Sequence, residues 1–406
     1  MTALTILLVS LSVLLLLPSS VLLIQVLAAM LPTKQAIPAF DPAAAVTTSP
    51  NVLLLMPAHN EANGIRVVLQ TLMSQLGPKT RLLVVADNCT DDTARIAREV
   101  AGANSYIEVV ERHNELLRGK GYALDHGVRH IANQPPDVLL IVDADCVVLP
   151  GSIDSLASAC IAANRPVQAL YLMFSPVGAG VKTRLAEFAW VVKNRVRPLG
   201  FHRLGLPCQL MGTGMAFTWK QISRIELNTG HIVEDMQLGI DLARNGAPPM
   251  FLPDALVTSE FPLSAAGLHT QRTRWEHGHL GVIVSQVPAL IWQSLRGANT
   301  ALLAMALDLC VPPLALLALL TAAMWVICLV LALFDGSTLP LMLASLAMGA
   351  VGAAVMLAWL RYGRKVIGLK QLCFVPLYVV AKVPLYFYFL VKRQSTWVRS
   401  KRNDEQ

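Results

Sequence analysis

Two acidic pairs in this chain have residue types and spacings suited to binding a metal ion and activating a hydroxyl group. Asp143 and Asp145 follow the apolar stretch LLIV and are separated by one alanine. Hard divalent cations such as Mg²⁺ or Mn²⁺ take carboxylate oxygen ligands and can neutralise a departing diphosphate. A capped turn between a strand and a loop could contain the same two aspartates. The D-x-D pair alone is therefore a weak signal.

The second pair, Glu234 and Asp235, opens the helical stretch MQLGIDLARNG. An acid at a helix N-terminus is a common cap, favoured by the helix dipole. The alternative is a general base that removes a proton from an attacking hydroxyl group. The preceding residues 211–214, MGTG, are predicted to form a wall that a second substrate can approach closely, with Gly212 and Thr213 in contact with it.

Two further motifs carry groups that suit a diphosphate and a sugar. Lys120 lies between two glycines at the start of an Ala-containing helix, where it could contact a diphosphate or simply lie on a solvated face. Gln271, Arg274 and Trp275 follow at helical spacing. Glutamine and arginine can hold a pyrophosphate, and tryptophan offers a flat apolar face for a sugar ring. A structural tryptophan beside two surface polar residues is the simpler alternative.

Four short apolar runs, alternating with helical patterns, are predicted to position these groups. The strands are VLLLMP from residue 52, then RLLVVAD, YIEVVE and DVLLIVDAD, with helices over 61–76, from Thr90 and over 120–133. Continuous apolar strands between helices indicate a parallel sheet covered on both faces. Ligands bind at the carboxyl ends of such strands. His59, Asp87 and the D-x-D pair all follow strand ends, which predicts one shared pocket.

The order of the motifs is more specific than any one of them. A strand-end Asp87, a D-x-D, an E-D pair and Q-x-x-R-W resemble the membrane-bound family 2 inverting glycosyltransferases, a group that includes cellulose, hyaluronan and poly-N-acetylglucosamine synthases and ceramide glucosyltransferase. The resemblance covers roughly Val52 to Trp275. It implies an α/β fold, the Rossmann-like glycosyltransferase A architecture, with transmembrane helices at both ends. It is specific for the reaction type and poor for the substrate.

The resemblance also implies a role for each motif. Asp87 would accept hydrogen bonds from a nucleotide base, where the alternative is a turn aspartate; Asp145 would ligate Mg²⁺ or Mn²⁺ directly; and Asp235 would be the catalytic base. The stretch 119–123, GKGYA, matches the family pattern G-K-x-x-A. The residues expected to bind the nucleotide sugar are Pro57, His59, Glu61, Asp87, Lys120, Asp143, Gln271 and Arg274. The residues expected to bind the acceptor are Gly212, Thr213, Glu234 and Trp275.

The apolar residues, 54% of the chain against 15% charged, are concentrated towards its ends. Residues 3–31 carry no charge, and about 27 helical residues span roughly 40 Å, enough to cross a bilayer. A cleaved signal peptide fits less well, because the basic start is missing and the apolar stretch is too long. Further apolar runs cover 301–333, where Pro312-Pro313 should break the helix, then 338–360 and 371–391.

The fourth run has two readings. Lys382 and two prolines interrupt it, which predicts a segment along the cytosolic interface, but a kinked span with Lys382 paired to an acid such as Asp308 remains open. Asp308 itself could line a route for the acceptor or lie near the membrane surface. The predicted parts are a membrane anchor at 1–33, a linker at 34–51, a cytosolic glycosyltransferase domain at 52–280, an interfacial segment at 281–300, two transmembrane helices at 301–360, and an interfacial segment with a basic tail at 361–406.

Charge and cysteine content narrow the cellular setting. Basic clusters after the third and fourth runs predict cytosolic positions for both, by the positive-inside rule. The net charge of +7 suits anionic lipids and diphosphates, and no pattern typical of nucleic-acid binding accompanies it. The seven cysteines have no C-x-x-C pattern, which fits a reducing cytosol.

These observations predict a metal-dependent enzyme of the bacterial inner membrane that moves a sugar from a nucleotide sugar, expected to be a UDP-sugar, to a lipid-linked or membrane-associated acceptor. The expected setting is exopolysaccharide or cell-envelope synthesis. A processive polysaccharide synthase is the alternative enzyme. A membrane nucleotide-binding regulator or transporter without chemistry is the alternative of another class.

Overall fold

The computed structural model describes residues 2–32, 50–262 and 265–391, apart from the side chains of Ala265, Ala266, His269 and Asp335. Within these residues the chain forms two compact units. The sheet unit comes from Thr33–Phe174 and Pro207–Thr270, and the helical unit from Met1–Pro32, Ser175–Leu206 and Gln271–Gln394. Most of the predicted linker and the basic tail after residue 391 lie outside the described residues.

An eight-stranded mixed sheet forms the centre of the sheet unit, in the order β3-β2-β1-β4-β7-β6-β8-β5. Its strands are β1 Val52–Ala58, β2 Thr80–Asp87, β3 Ile107–Arg112, β4 Val138–Ile141, β5 Val147–Val148, β6 Val167–Phe174, β7 Met215–Thr218 and β8 Met250–Glu260. The first four strands in this order are parallel, as the apolar runs predict. Strand β7 then pairs antiparallel with both β4 and β6. The expected Rossmann-like α/β architecture is confirmed.

Helices cover this sheet because each has one apolar face to bury. They are α2 Ile65–Met73, α3 Thr93–Ala101, α4 Lys120–His130, α5 Ser152–Ala163, α8 Trp219–Ile222 and α9 Glu234–Arg244. Leu124 of α4 and Leu238 of α9 pack in one core cluster with Leu55 and Val85 of the strands. Helix α3 begins at Thr93, later than the predicted Thr90. The carboxylate of Asp91 accepts the backbone N–H of Thr93, a side-chain turn that competes with helix formation.

The helical unit contains most of the apolar length of the chain. Its helices are α1 Ala3–Ala28, α6 Val181–Val191, α7 Arg197–Arg203, α10 Ala265–Arg296, α11 Thr300–Leu309, α12 Leu314–Asp335, α13 Thr338–Ala358, α14 Leu369–Leu372, α15 Val375–Val380 and α16 Val383–Val391. Two π-helical turns, Val192–Val196 and Trp359–Gly363, follow α6 and α13. The predicted boundary at residue 280 falls inside α10, and the segment 175–206 groups with the helices. The order of motifs along the chain does not show which segments pack together. The predicted domain boundaries therefore differ from the boundaries of the two compact units.

Among the described residues, three helices are long and apolar enough to cross a membrane, as predicted: Ala3–Ala28, Leu314–Phe334 and Thr338–Gly363. The second apolar run breaks at Pro312-Pro313, where α11 ends and α12 begins. The fourth run forms the short helices α14, α15 and α16. Lys382 in this run pairs with an acid, as the alternative of a kinked span expects, but that acid is Glu276 rather than Asp308.

Asp308 belongs to a buried polar cluster that joins three helices of this unit. Its carboxylate accepts hydrogen bonds from Gln25 Nε2 of α1 at 2.6 Å and from an Arg197 guanidinium nitrogen of α7 at 2.8 Å. Arg197 Nε also donates to Gln25 Oε1 at 3.1 Å. Such a cluster is stable in an apolar surrounding only because each charge has its partner. Asp308 is therefore a structural acid within the described helices.

The same helices approach so closely that α7 needs a glycine at position 200. A Cβ on Gly200 would lie 1.9 Å from the backbone oxygen of Gln25. Any residue with a Cβ at this position would push α7 away from α1.

We expect Gly200→Ala to destabilise the protein by about 1–3 kcal/mol, the range typical of overpacking. Gly352→Ala is the matched control, because a Cβ at that helical position meets nothing within 4 Å and alanine favours the helix. The measurement is the thermal midpoint of the detergent-solubilised protein. Equal midpoints for Gly200→Ala and the parent would contradict the close contact.

Candidate functional site

The loops after β1 and β2 are joined to each other at the carboxyl edge of the sheet. Asn60 and Asn88 follow these strands with φ of 54° and 48°, left-handed conformations that asparagine tolerates. Asn60 Oδ1 accepts the N–H of Thr90 at 2.7 Å, and His59 Nδ1 donates to the Asp87 carbonyl at 2.6 Å. His59 therefore contacts the backbone that carries Asp87.

Pro57 and Glu61 flank His59 on the same side of the sheet. Pro57 lies within β1, in register with Val85 of β2. The backbone N–H of Glu61 donates to the Thr93 hydroxyl at 2.7 Å, at the start of α3. The structure thus brings Pro57, His59 and Glu61 to the same strand end as Asp87.

The Asp87 carboxylate is held by an arginine that was not predicted. Arg112 donates to Asp87 Oδ1 at 2.6 Å, and both side chains are largely buried. The two residues are direct register partners on β2 and β3, which explains the contact. Arg112 also lies over the ring of Tyr122, 5.6 Å from its centroid. The predicted third strand, YIEVVE, ends at Glu111, so the pair becomes visible only when β3 is extended by one residue and placed in register with β2.

The D-x-D pair lies just beyond β4. Oxygen atoms of Asp143 and Asp145 and the sulfur of Cys146 all lie within 4.8 Å of one another. The Cys146 thiol donates to Asp145 Oδ1 at 3.4 Å. Burial, with the neighbouring aspartates, raises the pKa of this thiol, so Cys146 is a neutral donor. Two carboxylates with oxygen ligands remain, and this donor set fits Mg²⁺ or Mn²⁺.

The ammonium group of Lys120 lies among three acidic groups. Its Nζ is 2.5 Å from Asp143 Oδ1 and 3.7 Å from Glu234 Oε1, and it donates to the Gly212 carbonyl at 2.7 Å. A Cβ on Gly212 would lie 3.5 Å from Asp235 Oδ2 and 3.7 Å from Lys120 Nζ, which places the Asp235 carboxylate at the same point. The predicted lysine, D-x-D and E-D motifs therefore meet in one cluster.

The glycines beside Lys120 permit this position. A Cβ on Gly121 would lie 2.5 Å from the Thr229 carbonyl and 2.7 Å from the Leu227 carbonyl. Gly119 has φ of 137°, a conformation that other residues rarely adopt. Helix α4 can therefore begin close against the 227–229 backbone, with Lys120 directed at the acids.

Burial and charge shift the pKa values of this cluster in a definite direction. Burial lowers the pKa of Lys120, but attraction to Asp143 and Glu234 outweighs it, so the net shift is upward and the lysine stays charged. For Glu234, burial raises the pKa, Lys120 lowers it and Asp235 raises it, with a net value of about 7. Glu234 can therefore carry a proton near neutral pH, although the charged Lys120 ammonium lies 3.7 Å away.

The 211–214 loop supports the D-x-D pair from behind. Thr213 is fully buried, and its hydroxyl accepts the N–H of Asp143 at 3.1 Å. The buried Gln168, which was not predicted, donates to the Thr213 carbonyl at 2.9 Å and accepts the N–H of Met211 at 2.8 Å. In this structure Thr213 thus positions Asp143, whereas Gly212 faces the cluster itself.

The Q-x-x-R-W motif lies on α10, in the first part that belongs to the helical unit. The Trp275 ring packs against Trp190 of α6, with centroids 4.8 Å apart. Gln271 Oε1 is buried without a hydrogen-bond partner, and Arg274 lies one turn further on. His277 and His279, just beyond the motif, are buried, and each contacts a backbone carbonyl of this unit.

Comparisons with known proteins point to one family. A family model described as "Glycosyltransferase like family 2" matches residues 50–278. The chain is 27% identical over 248 residues to the probable glycosyltransferase YdaM of Bacillus subtilis (strain 168), covering 58% of this chain and 56% of that protein. It thus spans little over half the length of that relative. A 4,4′-diaponeurosporenoate glycosyltransferase of Staphylococcus haemolyticus (strain JCSC1435) is 25% identical over 288 residues, covering 66% of this chain and 72% of that one.

One solved structure shows the same fold over most of the chain. The mannosyltransferase PcManGT from Pyrobaculum calidifontis, in complex with GDP-Man and Mn²⁺, matches with a TM-score of 0.52 and 18% identity, covering 84% of this chain and 97% of that one. At this identity the likeness shows the fold alone. It confirms the glycosyltransferase A architecture.

We expect Lys120→Met to destabilise the protein most at high pH. Without the ammonium, the buried carboxylates would have pKa values raised further above those of the unfolded chain, where the ordinary value is about 4. The variant therefore loses more free energy of unfolding as pH rises above about 4. The loss reaches about 3 kcal/mol near pH 8, the cost typical of breaking a buried ion pair.

The measurement is the thermal midpoint of parent and variant between about pH 5 and pH 8, a range that spans the Glu234 pKa of about 7. The difference should narrow towards pH 5, where Glu234 is protonated. Lys79→Met, at an exposed position of the same unit, serves as the control. A difference that does not vary with pH would contradict the electrostatic role of Lys120.

Proposed function

The chain belongs to glycosyltransferase family 2, and we propose that it transfers a sugar, with inversion at the anomeric carbon, from a nucleoside diphosphate sugar to a membrane-associated acceptor. The observation that carries this proposal is the cluster in which Lys120 meets the D-x-D and E-D acids at the carboxyl edge of the sheet. A UDP-sugar is the proposed donor. GDP-mannose is the second donor to test, because the mannosyltransferase with the same fold is bound to GDP-Man.

The proposed reaction needs one base and one stabilised leaving group. Asp235 takes the proton of the acceptor hydroxyl, whose oxygen forms a bond to the anomeric carbon. The bond from that carbon to the diphosphate oxygen breaks on the opposite face, and the electron pair leaves with the nucleoside diphosphate. Lys120 keeps a positive charge near the departing diphosphate, where charge develops. Glu234, with its pKa of about 7, can hydrogen-bond the acceptor in its protonated form.

Donor and acceptor recognition are proposed from the resemblance together with these positions. Asp87, supported by Arg112 and His59, would bind the nucleotide base. Gln271 and Arg274 would bind the pyrophosphate, and Trp275 would stack on a sugar ring.

Asp145, with Asp143 beside it, would hold Mg²⁺ or Mn²⁺. A bound divalent ion supplies a positive charge that offsets the charge of the diphosphate. The Mn²⁺ in the related mannosyltransferase structure supports this proposal, as does the oxygen donor set.

Three candidate membrane helices support a lipid-linked or lipid-soluble acceptor and a place in the bacterial inner membrane, with the catalytic domain in the cytosol. The proposed role is in exopolysaccharide or cell-envelope synthesis. Three helices of one chain make a narrow conduit, which favours a single addition over processive polymerisation. Membranes containing the protein should transfer label from a UDP-sugar or GDP-mannose to an organic-extractable product, and mass spectrometry of that product gives the number of sugars added. Release of free sugar or absence of transfer with every donor would overturn the proposal.

Asp235→Asn is expected to lower the transfer rate by about 10²- to 10⁴-fold, the range typical of removing a general base. Nucleotide affinity should stay near that of the parent. Asp154→Asn is the matched control, because Asp154 is also an acid in the first turn of a helix but is exposed. Steady-state transfer and nucleotide titration are the two measurements. A transfer rate near the parental one would assign the base to another residue.

Asp145→Ala is expected to abolish the dependence of nucleotide binding on Mg²⁺ or Mn²⁺. Titration calorimetry with each ion, and with a chelator, measures this dependence in parent and variant. Asp254→Ala, an exposed aspartate of the same unit, should behave like the parent. If the parent binds nucleotide equally well with ion and with chelator, the proposed metal site is wrong.

A further inference from the structure

A buried ion pair lies directly after the Q-x-x-R-W motif. Glu276 of α10 pairs with Lys382, which lies between α15 and α16 in the fourth apolar run. The side chains are only 12% and 14% exposed, respectively. The Lys382 ammonium also lies 5.3 Å from the centroid of the Tyr378 ring. A charge in the middle of an apolar run is thus matched by an acid on another helix of the same unit.

The residues on either side of Glu276 are held by different partners. Trp275 packs against Trp190. His277 Nε2 donates to the Leu385 carbonyl at 3.0 Å, and its ring meets Phe389 edge-on at 5.3 Å. Glu276 and His277, both within two residues of the motif, therefore join α10 to the C-terminal segment 369–391.

A buried ion pair is an inefficient way to stabilise a helix contact. The desolvation of both charges offsets most of their attraction, and apolar residues of the same size often stabilise as well or better. Such a pair does, however, favour one relative position of the two helices, because each charge must face its partner. Leucine side chains would allow the segment 369–391 to slide along α10, whereas Lys382 and Glu276 fix one register.

We propose that Glu276 and Lys382 are positioning residues for the sugar transfer. Their ion pair fixes the orientation of the first turns of α10, and with it the orientation of Arg274 and Trp275. The segment 369–391, here called the strap, then holds α10 in place. This inference rests on the proposed function, because Arg274 and Trp275 matter only if donor and acceptor bind there.

The test compares five variants of the full chain in lipid nanodiscs. Glu276→Gln and Lys382→Met each remove one charge, Lys382→Arg keeps it, and the exchanged double variant carries Glu276→Lys with Lys382→Glu. Lys370→Met, exposed on the same segment, is the control. The measurements are kcat, KM for donor and acceptor, and hydrogen–deuterium exchange of the amides in 271–280.

We expect each single neutral variant to lower kcat by about 10- to 100-fold, as misplacement by about 1 Å can, and to speed amide exchange in 271–280. Donor KM should rise as well, because Arg274 is proposed to bind the pyrophosphate of the donor. Lys382→Arg and the exchanged double variant should recover most of the lost kcat and most of the lost amide protection. Parental kcat in both neutral variants would overturn the proposal, as would a folded double variant that remains as slow as the single ones. If the neutral variants do not accumulate, the double variant alone decides: it must fold and transfer sugar. If the parent transfers no sugar, the proposed function fails, while amide exchange still tests the strap.

Discussion

The attraction between one lysine and three carboxylates is the interaction on which the candidate site depends. Asp143 comes from one segment and the adjacent pair Glu234 and Asp235 from another. Without a cation, the mutual repulsion of these acids would drive them apart or protonate them. The largely buried Lys120, 2.5 Å from Asp143, compensates this charge. The glycines beside it allow α4 to begin close enough for that contact. One buried cation thus holds together the acids to which the proposed function assigns the metal ion and the acceptor hydroxyl.

The helical unit solves a related problem inside an apolar surrounding. Its buried charges occur as partners on separate segments, Arg197 with Asp308 and Lys382 with Glu276. A shift of either helix would leave a buried charge without its partner, which is strongly destabilising. Gly200 adds a backbone contact that only one position of α7 satisfies. Charge pairing and close backbone approach together define how these helices meet.

The parallel half of the sheet and the position of its motifs were predictable from local patterns. Apolar runs identified β1 to β4, and strand ends identified His59, Asp87 and the D-x-D pair. The partners of these residues were not predictable in the same way. Arg112 reads as an ordinary surface residue until β3 is placed beside β2 in register. Gln168 reads as a polar interruption of a strand, and only the fold shows that it holds the 211–214 loop.

The sequence by itself determined the fold class, the family and the three candidate membrane helices of the described residues, because hydropathy, periodicity and motif order can be read along the chain. The tertiary structure decided which charges meet. Glu276 and Lys382 are 106 residues apart, and Asp308 and Arg197 are 111 apart. Coulomb attraction depends on distance in space, and nothing in the local pattern reports it. For that reason Lys382 could be predicted to need an acid, but only the packing of α10 against the C-terminal segment shows which acid it takes.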